Sequence, residues 1–212
     1  MHAMTISSIR INGGRLCLDF VNTRTYAASP REFLAAYADL VTWGQREALI
    51  GAGEVRRLLI MARDAPEAAA AALRTARDLR LSLRSLLEPG VPVAALAAGL
   101  DGLNAAASRT RPHLAIAAGG GLRYVSAATL DDWLLGPVAI SAMDLATSPA
   151  RAQVHVCPGE DCHWLFLDQS RNATRRWCSM ASCGGKAKAR THYDTHRRGP
   201  VPPAGRWRAG GP

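Results

Sequence analysis

Cys157-Pro-Gly-Glu-Asp-Cys162 is answered, after an arm of fifteen residues, by Cys178-Ser-Met-Ala-Ser-Cys183. These two C-x4-C pairs hold four of the five cysteines in the 212-residue chain. Structural zinc takes four tetrahedral ligands, with thiolate sulfurs at about 2.3 Å. Each pair can supply two ligands from one tight turn, and Pro158-Gly159 favours such a turn in the first. The spacing therefore predicts one structural Zn²⁺ per chain, held by Cys157, Cys162, Cys178 and Cys183. His155 and His163 flank the first pair, but four well-spaced cysteines leave them as neighbours rather than ligands. A site closed by four thiolates has no open position for water, so hydrolytic chemistry at this metal is not expected. His192 and His196 have a metal-capable i, i+4 spacing, yet Tyr193 stands where a metalloprotease needs Glu.

Working outward, Val154 to Cys157 reads as a strand entering the first pair and His163 to Leu167 as a strand leaving it. Alternation would put Trp164 and Phe166 on one face, with Leu165 and Leu167 on the other. A helix is expected from near Cys183 to Arg198, with Gly184-Gly185 weakening its first turn. Lys186, Arg190 and Arg197 recur within one sector of that helix, and Lys188 and His192 form a second row. The arm between the pairs adds Arg171, Arg175 and Arg176. From Arg151 onward there are 11 Lys/Arg against 4 Asp/Glu, a balance of +7. The first 150 residues have 15 against 13, a balance of only +2. Such a concentration of basic charge around a metal-held module predicts DNA as partner. The expected phosphate contacts are Arg171, Arg175, Arg176, Lys186, Lys188, Arg190 and Arg197. The rival expectation is an RNA-binding or protein-interaction module with a purely structural zinc, in which Trp164 and Trp177 are exposed stacking groups.

Upstream, Leu16-Cys-Leu-Asp-Phe-Val-Asn-Thr23 fits both a strand alternation and a helix face, and its residues leave both open. Cys17 reads as a small core residue, and Asp19 and Asn22 as partners of local backbone. Ser29-Pro-Arg-Glu32 predicts a capped helix start, with Phe33, Leu34, Tyr37, Leu40 and Val41 on its apolar face and Gly44 at its end. A helix is expected over Glu54 to Ala62. Asp64 should then cap a long helix running to Leu87, with Arg74, Arg77 and Arg84 on its solvated face. Val93 to Leu103 reads as a shorter helix, and His113 to Ser126 as a hairpin around three glycines. Thr129 to Asp132 caps a last helix, which Pro137 should kink or divide, and Ser148-Pro149 closes it.

No run of about 18 apolar residues occurs, so no membrane partner is expected. The first ten residues contain no apolar core of signal-peptide length, which predicts a cytoplasmic protein with reduced cysteines. No Ser/His/Asp set, phosphate loop or paired carboxylates at diagnostic spacing appear, so the chain is not expected to be an enzyme.

The run Cys157-x4-Cys162-His-Trp-Leu-Phe-Leu-Asp168-x-Ser-Arg-Asn172, followed by Arg175-Arg-Trp-Cys178-Ser-Met-x-x-Cys183-Gly, resembles the bacterial CGNR zinc finger. The glycine-led Leu-Asp-Phe-Val-Asn-Thr23 stretch, with Trp43 after it, is similar to the ABATE domain that precedes that finger. The resemblance implies a stress-induced transcriptional regulator, nucleoid-associated, whose finger binds DNA. Its first domain would sense a small molecule or mediate assembly, for example as a homodimer. The expected fold is α+β: a predominantly helical domain with a small β hairpin over residues 1–149, then a four-cysteine module ending in a helix over 150–198. Residues 199–212 read as a Pro/Gly/Arg tail. The motif that names the finger is Cys-Gly-Asn-Arg, whereas this chain has Cys183-Gly184-Gly185-Lys186. All four ligands survive, but Lys cannot form the bidentate fork of Arg.

Overall fold

A computed structural model of the chain describes residues 5–9, 12–111, 113–116, 119–125, 130 and 132–197. Its centre is α4 (Pro66–Leu87), a 22-residue helix packed against five other helices. Those are α1 (Leu16–Val21), α2 (Tyr37–Arg46), α3 (Ala52–Asp64), α5 (Val93–Thr110) and α6 (Asp132–Thr147). Ala72, Ala76, Leu79, Leu83, Leu86 and Leu87 form the buried face of α4, as their helical spacing requires. The closest approach is to α5. A Cβ at Gly99 would lie 2.6 Å from the Ser82 carbonyl oxygen and one at Gly102 only 2.1 Å from Ser82 Oγ. Glycine lets the two backbones touch there.

The predicted α+β architecture is borne out. β1 (His113–Ile116) and β2 (Leu122–Val125) form the expected antiparallel hairpin. β3 (Val154–Val156) and β4 (Leu165–Leu167) form a second two-stranded sheet, bracketing the first cysteine pair. A π-helical turn (Met180–Gly184) carries the second pair into α7 (Gly185–Arg197). One apolar core runs without a break from Leu18 and Leu83 to Leu165 and Leu167. Among the described residues, no helix is long and apolar enough to cross a membrane.

The ambiguous stretch at Leu16 is helical, with Cys17, Leu18, Phe20 and Val21 all buried. Its apparent alternation arose because nearly every side of this short helix meets the core. Two expected caps are corrected. Ser29-Pro-Arg-Glu32 starts no helix: Glu32 bridges to Arg24 in extended backbone, and α2 begins only at Tyr37. There Asp39 accepts the Ala36 N–H at 2.7 Å, so the capping role belongs to a different acid. Asp64 is the last residue of α3, where it pairs with Arg63, and α4 starts at Pro66 without a side-chain cap. Helix α5 continues seven residues beyond Leu103. Pro137 lies inside α6 without dividing it. The expected cap at Thr129 and the tail at 199–212 lie outside the described residues.

Candidate metal centre and basic surface

The four paired cysteines converge on one point. Their sulfurs all lie within 4.8 Å of one another. Cys162 Sγ is 3.6 Å from Cys178 Sγ, which is 3.7 Å from Cys183 Sγ. A tetrahedron with metal–sulfur bonds of about 2.3 Å has edges of about 3.8 Å, so the donor set fits zinc. Disulfide sulfurs stand at about 2.05 Å, far closer than these. The first turn needs glycine, since a Cβ at Gly159 would lie 3.0 Å from Cys183 Sγ and 3.2 Å from Cys162 Cβ.

Proton sharing among the sulfurs points the same way. The Cys157 thiol is pushed down to about 2, first because Cys162 and Cys178 hydrogen-bond to its thiolate, and then through the Cys178 and Gly159 amides. Cys162 and Cys178 are pushed up, chiefly by that same bonding to Cys157. Four thiols left alone can carry little negative charge in one place, whereas a dication lets all of them ionise. Cys17 is unlike them. It is fully buried under α6, its Sγ 3.5 Å from the Ser141 carbonyl, and burial pushes its thiol up to about 11. It is a core residue, as expected. His155 is exposed, and His163 turns its Nδ1 toward the Tyr26 carbonyl at 3.3 Å, so neither joins the sulfur cluster.

The inner side of the cysteine module is docked on the helical layer through backbone groups. Asn22, fully buried, donates from Nδ2 to the Leu165 carbonyl at 2.7 Å and accepts the Leu165 N–H at Oδ1 at 2.9 Å. Its amide thus pairs with β4 as a neighbouring strand would, a long-range role in place of the local one expected. Leu167 N–H bonds the Gly13 carbonyl at 2.8 Å, and Tyr26 N–H the Cys162 carbonyl at 3.0 Å. Trp164, expected as an exposed stacking group, is buried and donates its indole N–H to the Arg24 carbonyl at 2.9 Å. Arg84, expected in solvent, is also buried. It reaches the His163 carbonyl at 2.6 Å, pairs with Glu88 at 2.7 Å and lies over the Tyr26 ring. Arg77 likewise donates to the Leu34 carbonyl.

Arg175 is the main correction among the expected phosphate contacts. Its guanidinium donates to the carbonyls of Trp177 at 3.1 Å, Leu167 at 3.2 Å, Asn12 at 2.9 Å and Cys178, above the Phe166 ring. It is spent on closing the arm. The buried Asp168 supports that closure by accepting from Ser170 and from the Arg175 N–H at 2.9 Å. Arg171, Arg176, Lys186 and Lys188 are exposed, and none has an ion-pair partner among the described residues. Arg190 pairs with Glu160 at the surface. Of Arg197 only the backbone is described.

One charged pair escaped the sequence reading. Arg80 is 1% exposed and forms a double hydrogen bond with Glu32, with further bonds from Nη1 to Thr23. Burial pushes Glu32 up, but the bonds and charge of Arg80, with the Leu34 N–H, hold its carboxyl below the ordinary range. The signal was present: Arg80 stands four residues after Ala76 and three before Leu83, inside the apolar stripe of α4.

Family profiles cover both parts of this arrangement. The profile of the ABATE family, described as "Putative stress-induced transcription regulator", matches residues 14–149. The chain belongs to the ABATE family. The profile of the CGNR zinc finger matches residues 153–196, the segment containing the four clustered cysteines. Asn22, Arg80 and Arg84 of the ABATE segment therefore hold either its own loops or the CGNR finger in place. A search of curated proteins finds no match.

Proposed function

We propose that this ABATE-family protein is a DNA-binding transcriptional regulator whose CGNR finger is stapled by one zinc ion bound to Cys157, Cys162, Cys178 and Cys183. The carrying observation is that Arg171, Arg176 and Lys188 are exposed and without ion-pair partners among the described residues, on a module held in place by Asn22 and Arg175. Phosphate contacts from a rigid module fix register at little entropic cost. Lys186 and Arg190 add to the field. The metal supplies folding energy, and with four thiolates around it no coordination position is left for a substrate, which supports a non-catalytic role. The ABATE segment then serves sensing or assembly, and the protein works at the nucleoid.

Duplex binding by fluorescence anisotropy across a salt series tests this reading. The log–log slope should reach about −0.9 per phosphate neutralised, and Arg171→Gln/Arg176→Gln/Lys188→Gln should make it shallower by two to three such steps. Absence of duplex affinity at low salt, or affinity independent of salt, overturns it. Trp177 alone of the two tryptophans stays accessible enough for single-strand stacking. A preference for single strands that vanishes in Trp177→Ala would favour the RNA reading instead.

A further inference from the structure

A cleft of about 620 Å³ lies between the CGNR finger and the ABATE loop that carries Phe33. That volume falls within the roughly 300–1,000 Å³ usual for small-molecule sites. Its apolar part is aromatic. Phe33 and Trp164 meet edge to face with centroids 6.4 Å apart, and Trp177 stands half-buried beside them. Trp177 is partly exposed to the cleft, so its ring is open to a ligand. The polar part is the inward face of α7, where Lys186, Ala187, Arg190, Thr191 and Asp194 follow one another at helical spacing. Among the described residues Lys186 has no ion-pair partner, and the carboxylates of Asp161 and Asp194 have none either.

We propose that this cleft binds a nucleotide, with the base beside Trp177 and the phosphate at Lys186. The mixed lining selects that class. A simple anion would meet the carboxylates of Asp161 and Asp194, and a purely apolar ligand would leave the Lys186 ammonium unanswered. A nucleotide answers both, because its phosphate takes the ammonium while its amino or hydroxyl groups donate to the acids. A planar base stacks on indole whatever its identity. The site uses the inner side of α7, whereas Lys188 and the arm arginines of the DNA reading face elsewhere. The two proposals can therefore fail separately.

The test titrates full-length zinc-loaded protein with AMP, GMP, CMP and UMP, following tryptophan emission and heat, with adenosine, inorganic phosphate and a short single-stranded oligonucleotide in parallel. Saturable binding is expected, weakened about tenfold or more by Lys186→Gln and by Trp177→Phe, and unchanged in Arg74→Gln, an exposed position on α4. A loss of that size is about 1.4 kcal/mol. Zinc content measured on each variant separates loss of the site from loss of the fold. Binding of mononucleotides supports a free nucleotide as the source, and binding of the oligonucleotide alone supports a residue within a strand. No binding of any nucleotide or oligonucleotide at millimolar concentration overturns the proposal. So does phosphate alone binding as tightly as the nucleotides, or a Trp177→Phe protein of full affinity.

Discussion

The ABATE helices and the CGNR finger are held by different means. Around α4 the chain buries leucines and alanines at helical spacing, and regular backbone hydrogen bonding follows from the helices themselves. Residues 154–184 contain two three-residue strands and one π-helical turn, too little regular structure to satisfy their own backbone. They are fixed instead by the four sulfurs, by Arg175 of the segment itself, and by two partners borrowed from outside it, Asn22 and Arg84. The lesson is that the finger is fastened by groups outside its own strands, which leaves Arg171, Arg176 and Lys188 exposed on a rigid support.

The largest break in this comparison should come from the sulfurs. Structural zinc contributes on the order of 10 kcal/mol of apparent binding energy in small modules, and that energy is folding energy. Cys178→Ser is expected to abolish zinc binding and unfold the finger, seen as zero zinc by elemental analysis and a lowered thermal midpoint. Glu32→Gln comes next. It leaves the buried Arg80 guanidinium without its countercharge, which should cost about 3 kcal/mol in denaturant unfolding. Asn22→Ala strands the N–H and C=O of Leu165 in the core and should cost about 2–3 kcal/mol. Its unfolding should be accompanied by easier zinc loss to a chelator, because the damage lies at the finger's seat.

Two carboxylates sharpen the contrast through pH. Burial, against the Gly13 N–H that Asp19 accepts at 2.7 Å, raises Asp19 from 3.8 to about 6. Between those values the folded chain holds a proton that the unfolded chain has released. Asp19 therefore makes stability fall as pH rises through that window, by about 3 kcal/mol at most. Asp19→Asn should remove that slope and raise stability at neutral pH relative to pH 5. Glu32 acts in the opposite sense. Its carboxyl is held low by Arg80, so its contribution is present above the ordinary glutamate range and is lost as pH falls through its depressed value. Denaturant midpoints across pH in the two variants check both signs.

Much of this was legible in the sequence where a pattern repeats. The helices of the core follow from apolar periodicity, and the sulfur cluster follows from two equal cysteine spacings. What escaped was pairing across distance. Ser29-Pro-Arg-Glu32 satisfies every local rule for a helix start, yet Glu32 gains more from Arg80, 48 positions later, than from capping. Asn22 looked like a local hydrogen-bonding residue, but its amide pairs with a strand 143 positions away. Arg175 looked like the arginines beside it. Only the fold reveals that four carbonyls already hold its guanidinium, while Arg171 and Arg176 stay in solvent. Charge counts cannot separate a structural arginine from a free one.

Hydrogen exchange on the full chain, with and without a chelator that strips the four cysteines, tests the central claim most directly. Amides of Cys157, Leu165 and Leu167 should lose protection by at least about a hundredfold, while those inside α4, such as Leu79 and Leu83, keep theirs. Unchanged protection across 154–184 after the metal is removed would contradict it.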